Sequence, residues 1–193
     1  MHPIYHTDAI IIGSVSRGEA NRVYLLLTKD MGAFYATAQG VRLERSKLRY
    51  TLQDFSYIRV DLVRGRDVWR ITSATPQETF SLVYGSERGM RFLHAIQKLL
   101  TRLVRGEVSH PKVFSDMLTA LRFLNSVNST AVYTAVELTL MLRILHELGY
   151  VSPKEPFGDF LGGDFTPESL LPESFPKEAV LEEIRKAVEE SQL

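Results

Sequence analysis

The sequence predicts an α+β chain: a small five-stranded barrel followed by an all-α domain. Three observations predict it. Apolar residues alternate with a period of two through residues 1–75, they recur at helical spacing after Pro76, and turn-forming clusters separate the segments. The 193 residues are enough to bury a core. With 45% hydrophobic and 24% charged residues the composition is globular, which excludes disordered, collagen-like and coiled-coil classes. The absence of cysteine excludes disulfides, thiol catalysis and thiolate metal sites.

The strands are read in order. Ile10 and Ile12 share a face of the first, and Val23, Leu25 and Leu27 a face of the second. In the third, Phe34, Ala36 and Ala38 oppose Tyr35, Thr37 and Gln39. Ile58, Val60 and Leu62 mark the fourth, and Trp69 with Ile71 the fifth. Turns fall at Ser16-Arg17-Gly18, Asp30-Met31-Gly32 and Arg64-Gly65-Arg66-Asp67. Five short strands with one long loop, Gly40 to Gln53, point to a closed barrel. The OB-fold is the common five-stranded solution at this size.

The helices follow. Met90, Phe92, Leu93, Ile96, Leu99, Leu100, Leu103 and Val104 form an apolar stripe that starts after Ser86, an N-cap, and stops at Gly106. Pro111 opens a second helix with Phe114, Met117, Leu118, Leu121 and Leu124 inward. Asn128 or Ser129 caps a third, which runs to a C-terminal glycine, Gly149. Residues 151–175 hold Pro153, Pro156, Pro167 and Pro172 with Gly158, Gly162 and Gly163, and read as a linker. A last, acidic helix begins at Pro176, with Val180, Ile184, Ala187 and Val188 on one face. The domain division is therefore 1–75 and 76–193.

Charge gives a first hint of function. Formal net charge is zero, 23 basic against 23 acidic side chains, which taken whole argues against a nucleic-acid partner. The total conceals a gradient. Residues 1–75 carry 11 basic and 7 acidic groups, residues 76–150 carry 8 and 6, and residues 151–193 carry 4 and 10. A basic front and an acidic tail are what a nucleic-acid partner leaves in a sequence, although a modest basic excess is also common. The N-terminus lacks a basic segment, Ala9–Ile12 is too short for a signal core, and Ala131–Leu148 is interrupted by Glu137, Arg143, His146 and Glu147. A soluble, cytoplasmic protein is expected.

A search for chemistry finds no catalytic set. His2 and His6 precede a strand, and His94, His110 and His146 are isolated, so no metal site is expected. Gly13 and Gly18 have phosphate-loop spacing, but Glu19 stands where the lysine must be. Gly85-Ser86 does not fit a nucleophile elbow, and Glu182–Glu183 and Glu189–Glu190 read as a solvated helix face. Asn128-Ser129-Thr130 matches a glycosylation acceptor, without meaning in a cytosolic protein. Neither enzyme nor cofactor is expected.

One segment stands out. Arg42, Arg45, Lys47 and Arg49 put four cations in eight residues of the Gly40–Gln53 loop, against Glu44 alone. Ser46, Tyr50 and Gln53 add hydroxyl and amide groups. Cations beside aromatic rings suit sequence-tolerant strand binding, because phosphates need charge and every base has a π-face. Arg64, Arg66 and Arg70 surround the last hairpin, and Arg17 and Arg22 the first. A solubilising basic loop has the same composition.

At this loop the chain resembles the recombination mediator family RecO. Thr7-Asp8-Ala9-Ile10-Ile11-Ile12 followed by Gly18-Glu19-Ala20-Asn21-Arg22 is similar to that family's opening strand and turn. So are Leu27-Thr28 with Gly32, Ala38-Gln39-Gly40-Val41-Arg42, Ser46-Lys47-Leu48-Arg49 and Leu52-Gln53-Asp54-Phe55. Leu145-His146-Glu147-Leu148-Gly149-Tyr150 with Pro153 resembles a turn of the family's helical domain. Two departures are clear. Asp54 stands where the family usually has proline, and Phe157-Gly158-Asp159-Phe160 replaces a four-cysteine zinc site, leaving apolar packing of Phe157, Phe160 and Phe165 as one substitute. The chain also stops early for the family, with one helix after the linker.

The resemblance implies a non-enzymatic DNA repair mediator. It would bind single- and double-stranded DNA through the barrel, anneal complementary strands and help load recombinase onto protein-coated single strands. Its partners would be a RecR-type protein and the acidic tail of single-stranded-DNA-binding protein, with no membrane involved. Arg42, Ser46, Lys47 and Arg49 match motif positions for nucleic-acid binding; Arg22, Arg45, Arg64, Arg66 and Arg70 rest on electrostatics. Two other readings remain open at this point: an RNA-binding OB-fold module, and a protein-binding adaptor.

Overall fold

Strand β1, Ile4–Arg17, is long enough to pair twice. Its first half lies antiparallel to β4, Tyr57–Arg64, and its second half antiparallel to β2, Asn21–Thr28. Between Ile11 and Gly13 the register shifts, which leaves Ile12 as the extra residue of a bulge. A bulge bends its strand, so one strand can serve both partners. β2 pairs with β3, Gly32–Ala38, and β4 with β5, Trp69–Glu78. A short parallel pairing of β3 with β5, Ala36 to Trp69 and Thr37 to Arg70, closes the barrel in the order β1-β2-β3-β5-β4. This is the expected OB-fold. The computed structural model that establishes it describes residues 3–66, 68–104, 106–127, 129–153, 156–162, 166 and 175–190.

The alternation expected in β3, β4 and β5 holds: Phe34, Ala36, Ile58, Val60, Leu62, Trp69 and Ile71 fill the interior. β1 and β2 differ. Their interior residues are Ala9, Ile11, Tyr24 and Leu26, while Ile10, Ile12, Leu25 and Leu27 are buried as well. Ile10 and Ile12 both lie outside the barrel interior, which takes the alternate residues Ala9 and Ile11. β5 also runs past Pro76 to Glu78, so the helical period begins later than the sequence predicts. Pro76 sits opposite Ile58, at a second bulge where a missing N–H is tolerated.

The chain forms two compact units, Met1–Thr79 with Val104–Phe114, and Phe80–Leu103 with Ser115–Leu193. In the first, the 104–114 segment lies along the barrel. Gly106 bridges Ala33, and the Ser109 hydroxyl donates to the Lys29 carbonyl at 3.2 Å. Gly32 has φ of +82°, and a Cβ there would meet the Gly106 carbonyl at 2.8 Å and that of Val108 closer still. Only glycine fits.

The second unit holds α2, Ser81–Tyr84, α3, Glu87–Leu103, α5, Thr130–Glu147, and α6, Lys177–Glu190; α4, Pro111–Ser126, contributes from Ser115 onward. Phe92, Leu93, Ile96, Leu99, Leu100 and Leu103 are the buried stripe of α3, as predicted, and the Ser86 hydroxyl caps it by accepting from the Gly89 N–H at 2.9 Å. Ser129 occupies the N-cap position of α5 without a side-chain cap bond; Asn128 lies outside the described residues. α5 ends in a Schellman motif: Gly149, φ +82°, donates to His146, and Tyr150 donates back to Leu145.

Within the expected linker, Phe157 is buried and the Phe160 ring packs edge-on against Phe175 at 5.2 Å. Phe165, Gly163, Pro167 and Pro172 lie outside the described residues. The segment is also held by a polar contact. Arg143, 5% exposed on α5, donates from Nε to the Phe160 carbonyl at 2.7 Å, from Nη2 to that of Gly162, and from Nη1 to Asp116. No group of three His, Cys, Asp or Glu that could hold a metal ion occurs among the described residues. No helix among them is long and apolar enough to cross a membrane.

Candidate nucleic-acid interface

The cationic loop is not a free loop. Val41 and Leu52, each 1% exposed, belong to the barrel interior, and Leu48 packs against it from a one-turn helix, α1, Leu48–Thr51. Apolar residues at these positions stopper the barrel, and the intervening charged ones face outward. Three bonds tie the start of the segment to the β1–β2 turn. The Gly40 N–H donates to Asn21 Oδ1 at 2.8 Å, the Arg42 N–H to the Ala20 carbonyl at 3.0 Å, and Arg42 Nη1 to the Gly18 carbonyl at 3.0 Å. Gln53 Nε2 donates to the Arg49 carbonyl at 2.6 Å and steadies α1.

This anchoring gathers three arginines. Arg22, Arg42 and Arg49, with Ser16, Tyr24 and Val41, line one cavity of about 340 Å³. Tyr24 and Val41, both 1% exposed, form its floor. Arg22 hydrogen-bonds the Tyr24 phenol. Its Nε is buried and has no hydrogen-bond partner among the described residues. Burial pushes the Tyr24 phenol above its ordinary value; the Arg22 charge opposes the shift and Asp54 adds to it. The phenol therefore stays protonated at neutral pH.

The other candidates are distributed differently. Arg45 and Lys47 are exposed along the segment and Ser46 is half-buried. Tyr50 is 75% exposed, with the Arg49 guanidinium 6.0 Å from its ring centre, and Tyr35 on β3 is exposed too. Such rings are available for base stacking. Arg64 lies 5.4 Å over the Trp69 ring and donates to Glu107 at 2.9 Å, so a carboxylate already accompanies its charge. Arg66 and Arg70 are exposed at the β4–β5 turn; Asp67 of that turn lies outside the described residues. Ser16 and Tyr24 are the lining residues that charge and motif do not single out. Period two does contain the signal, since Arg22, Tyr24 and Leu26 alternate along the inner face of β2.

Residues 1–80, which include the whole of this cavity, match the family model described as "Recombination protein O N terminal". The chain belongs to the RecO family. It is 33% identical over 149 residues to a DNA repair protein RecO of Heliobacterium modesticaldum, 76% of this chain and 52% of the relative. It is 31% identical over 150 residues to that of a Roseiflexus species, covering 76% and 50%. For the RecO of Desulfitobacterium hafniense the identity is 27% over 147 residues, covering 76% and 52%. The chain spans about half the length of these curated RecO relatives.

Proposed function

We propose that this RecO-family chain is a DNA repair and recombination mediator that binds single- and double-stranded DNA through its barrel. The observation that carries the reading is the convergence of Arg22, Arg42 and Arg49 on one cavity, with the exposed Tyr50 ring next to Arg49 in sequence. Guanidinium groups neutralise phosphates, and the tyrosine offers a stacking face. Arg45, Lys47, Arg64, Arg66 and Arg70 extend the cationic surface of residues 1–75, and Ser46 adds a hydroxyl. The role is not enzymatic. The protein anneals complementary strands and helps load recombinase onto protein-coated DNA, with a RecR-type protein and the tail of single-stranded-DNA-binding protein as its protein partners. Its place is the cytoplasm.

The test is a salt titration of single-strand binding with the whole chain. Log affinity falls linearly with log salt, by about 0.7 per phosphate contacted. Changing Arg42, Arg45, Lys47 and Arg49 together to Ala flattens the slope. Parental binding and annealing by the quadruple variant would refute the assignment. Competition between matched DNA and RNA strands separates this reading from an RNA-binding module, which a strong RNA preference would favour.

A further inference from the structure

The shape and charge of the Arg22–Arg42–Arg49 cavity point to a more specific ligand than a continuous backbone. We infer that it receives the terminal phosphate of a nucleic-acid strand, a phosphomonoester, so that the protein recognises strand ends. The inference rests on the nucleic-acid reading above and deepens it.

Three features carry it. The first is the number of donors. An internal phosphodiester carries one negative charge and two unbridged oxygens. A terminal phosphate carries about −1.5 to −2 at neutral pH and three such oxygens. Three guanidinium groups around one cavity match the second better, because each can take an oxygen of its own in a charge-assisted bond. The second is the unmatched donor. Arg22 is half-buried and its Nε has no acceptor among the described residues. A buried cationic donor is costly unless an acceptor meets it, and an anion in this cavity supplies one. The third is the floor. Tyr24 and Val41 belong to the packed interior of the barrel, so the cavity is backed by protein core. A strand that reaches the floor ends there, whereas a strand passing across the surface presents its diesters to Arg45 and Lys47 instead. Ser16 and the protonated Tyr24 phenol add neutral hydrogen-bonding groups to the lining.

The experiment uses the full chain and one single-stranded sequence of about 12 nucleotides, within the site sizes of such barrels, labelled internally. It is prepared with hydroxyl groups at both ends, with a 5′-phosphate, or with a 3′-phosphate. One of the phosphorylated strands binds roughly tenfold tighter than the hydroxyl-ended strand, the gain from one added charge-assisted contact. Which one it is gives the polarity. Arg49→Ala, at an exposed position, brings the ratio to near unity. Arg22→Lys does the same while keeping the charge, because an ammonium lacks the planar fork. Lys47→Ala weakens all three strands but keeps the ratio. Equal affinity for all three strands overturns the strand-end proposal and leaves DNA binding standing. A ratio that survives both Arg49→Ala and Arg22→Lys overturns the assignment to this cavity. Failure of every strand to bind overturns the nucleic-acid reading itself, and this inference with it.

Discussion

The indole N–H of Trp69 donates to Glu107 at 3.1 Å, joining strand β5 to the 104–114 segment through a single carboxylate. That carboxylate also accepts from Arg64 at 2.9 Å, and Arg64 in turn covers the Trp69 ring. Glu107 thereby restrains a cation that the proposed interface would otherwise deploy. Glu107→Gln keeps an oxygen for the indole and removes the negative charge. Single-strand affinity is expected to rise and its salt slope to steepen by about 0.7, one further phosphate. Chemical denaturation should show a loss of no more than about 1 kcal/mol, since the indole bond is only weakened and the Arg64 pair that is lost is exposed. An unchanged slope would remove Arg64 from the interface.

Arg143 is the corresponding device in the helical unit. Its guanidinium, 5% exposed, meets Asp116 and the carbonyls of Phe160 and Gly162. Arg143→Ala leaves a buried carboxylate and two carbonyls without this donor and is expected to cost about 3–5 kcal/mol. Limited proteolysis should then cut the variant near residues 157–162 before any other site. Parental stability would show that Phe157 and the Phe160–Phe175 contact suffice.

Glu137 supplies a pH dependence. Burial raises its pKa above the ordinary 4.5, and Arg88 opposes the shift. A carboxyl whose folded pKa is raised stabilises the fold fully below the unfolded value and loses that contribution as pH rises through the folded one. Above the unfolded value the raised group therefore lowers stability relative to a neutral isostere. Glu137→Gln should raise the melting temperature at pH 7.5, and the gain should vanish by about pH 3, where both side chains are neutral in the folded and unfolded chain. A gain that persists at low pH would have another origin.

Gly32 tests the attachment of the 104–114 segment. Gly32→Ala places a side chain at φ +82° and against two carbonyl oxygens. A loss of about 1–3 kcal/mol from backbone strain is expected, and displacement of the segment adds to it. The measurement is thermal unfolding, accompanied by Trp69 fluorescence as a local probe. A neutral substitution would mean that the segment can move aside.

Much of this fold is legible in period and punctuation. β3, β4 and β5 alternate because only one face meets the interior, and α3 shows its stripe for the same reason. β1 is less legible, since Ala9 to Ile12 is buried on both faces and a bulge interrupts it. The parallel closure of β3 on β5 leaves no local mark, because it depends on residues more than thirty positions apart. The attachment of residues 104–114 to the barrel is equally hidden: it uses a carboxylate and backbone groups. At the candidate interface, cation density singles out the segment but not its geometry. Charge counting ranks Arg42, Arg45, Lys47 and Arg49 alike; all four are exposed, but the fold brings only Arg42 and Arg49 to the cavity that Arg22 lines.

The segment that stoppers the barrel has a consequence for how such a protein can change. Binding loops usually tolerate insertions and drift because the scaffold does not depend on them. Here Val41, Leu48 and Leu52 alternate with Arg42, Arg45, Lys47 and Arg49 in one stretch, so packing and the proposed ligand contacts fall in the same few positions. An insertion that re-aims the arginines unseats the stopper, and a substitution that loosens the stopper scatters the arginines. A change of specificity is thus expected to come from exchanging one exposed side chain at a time, at an unchanged segment length.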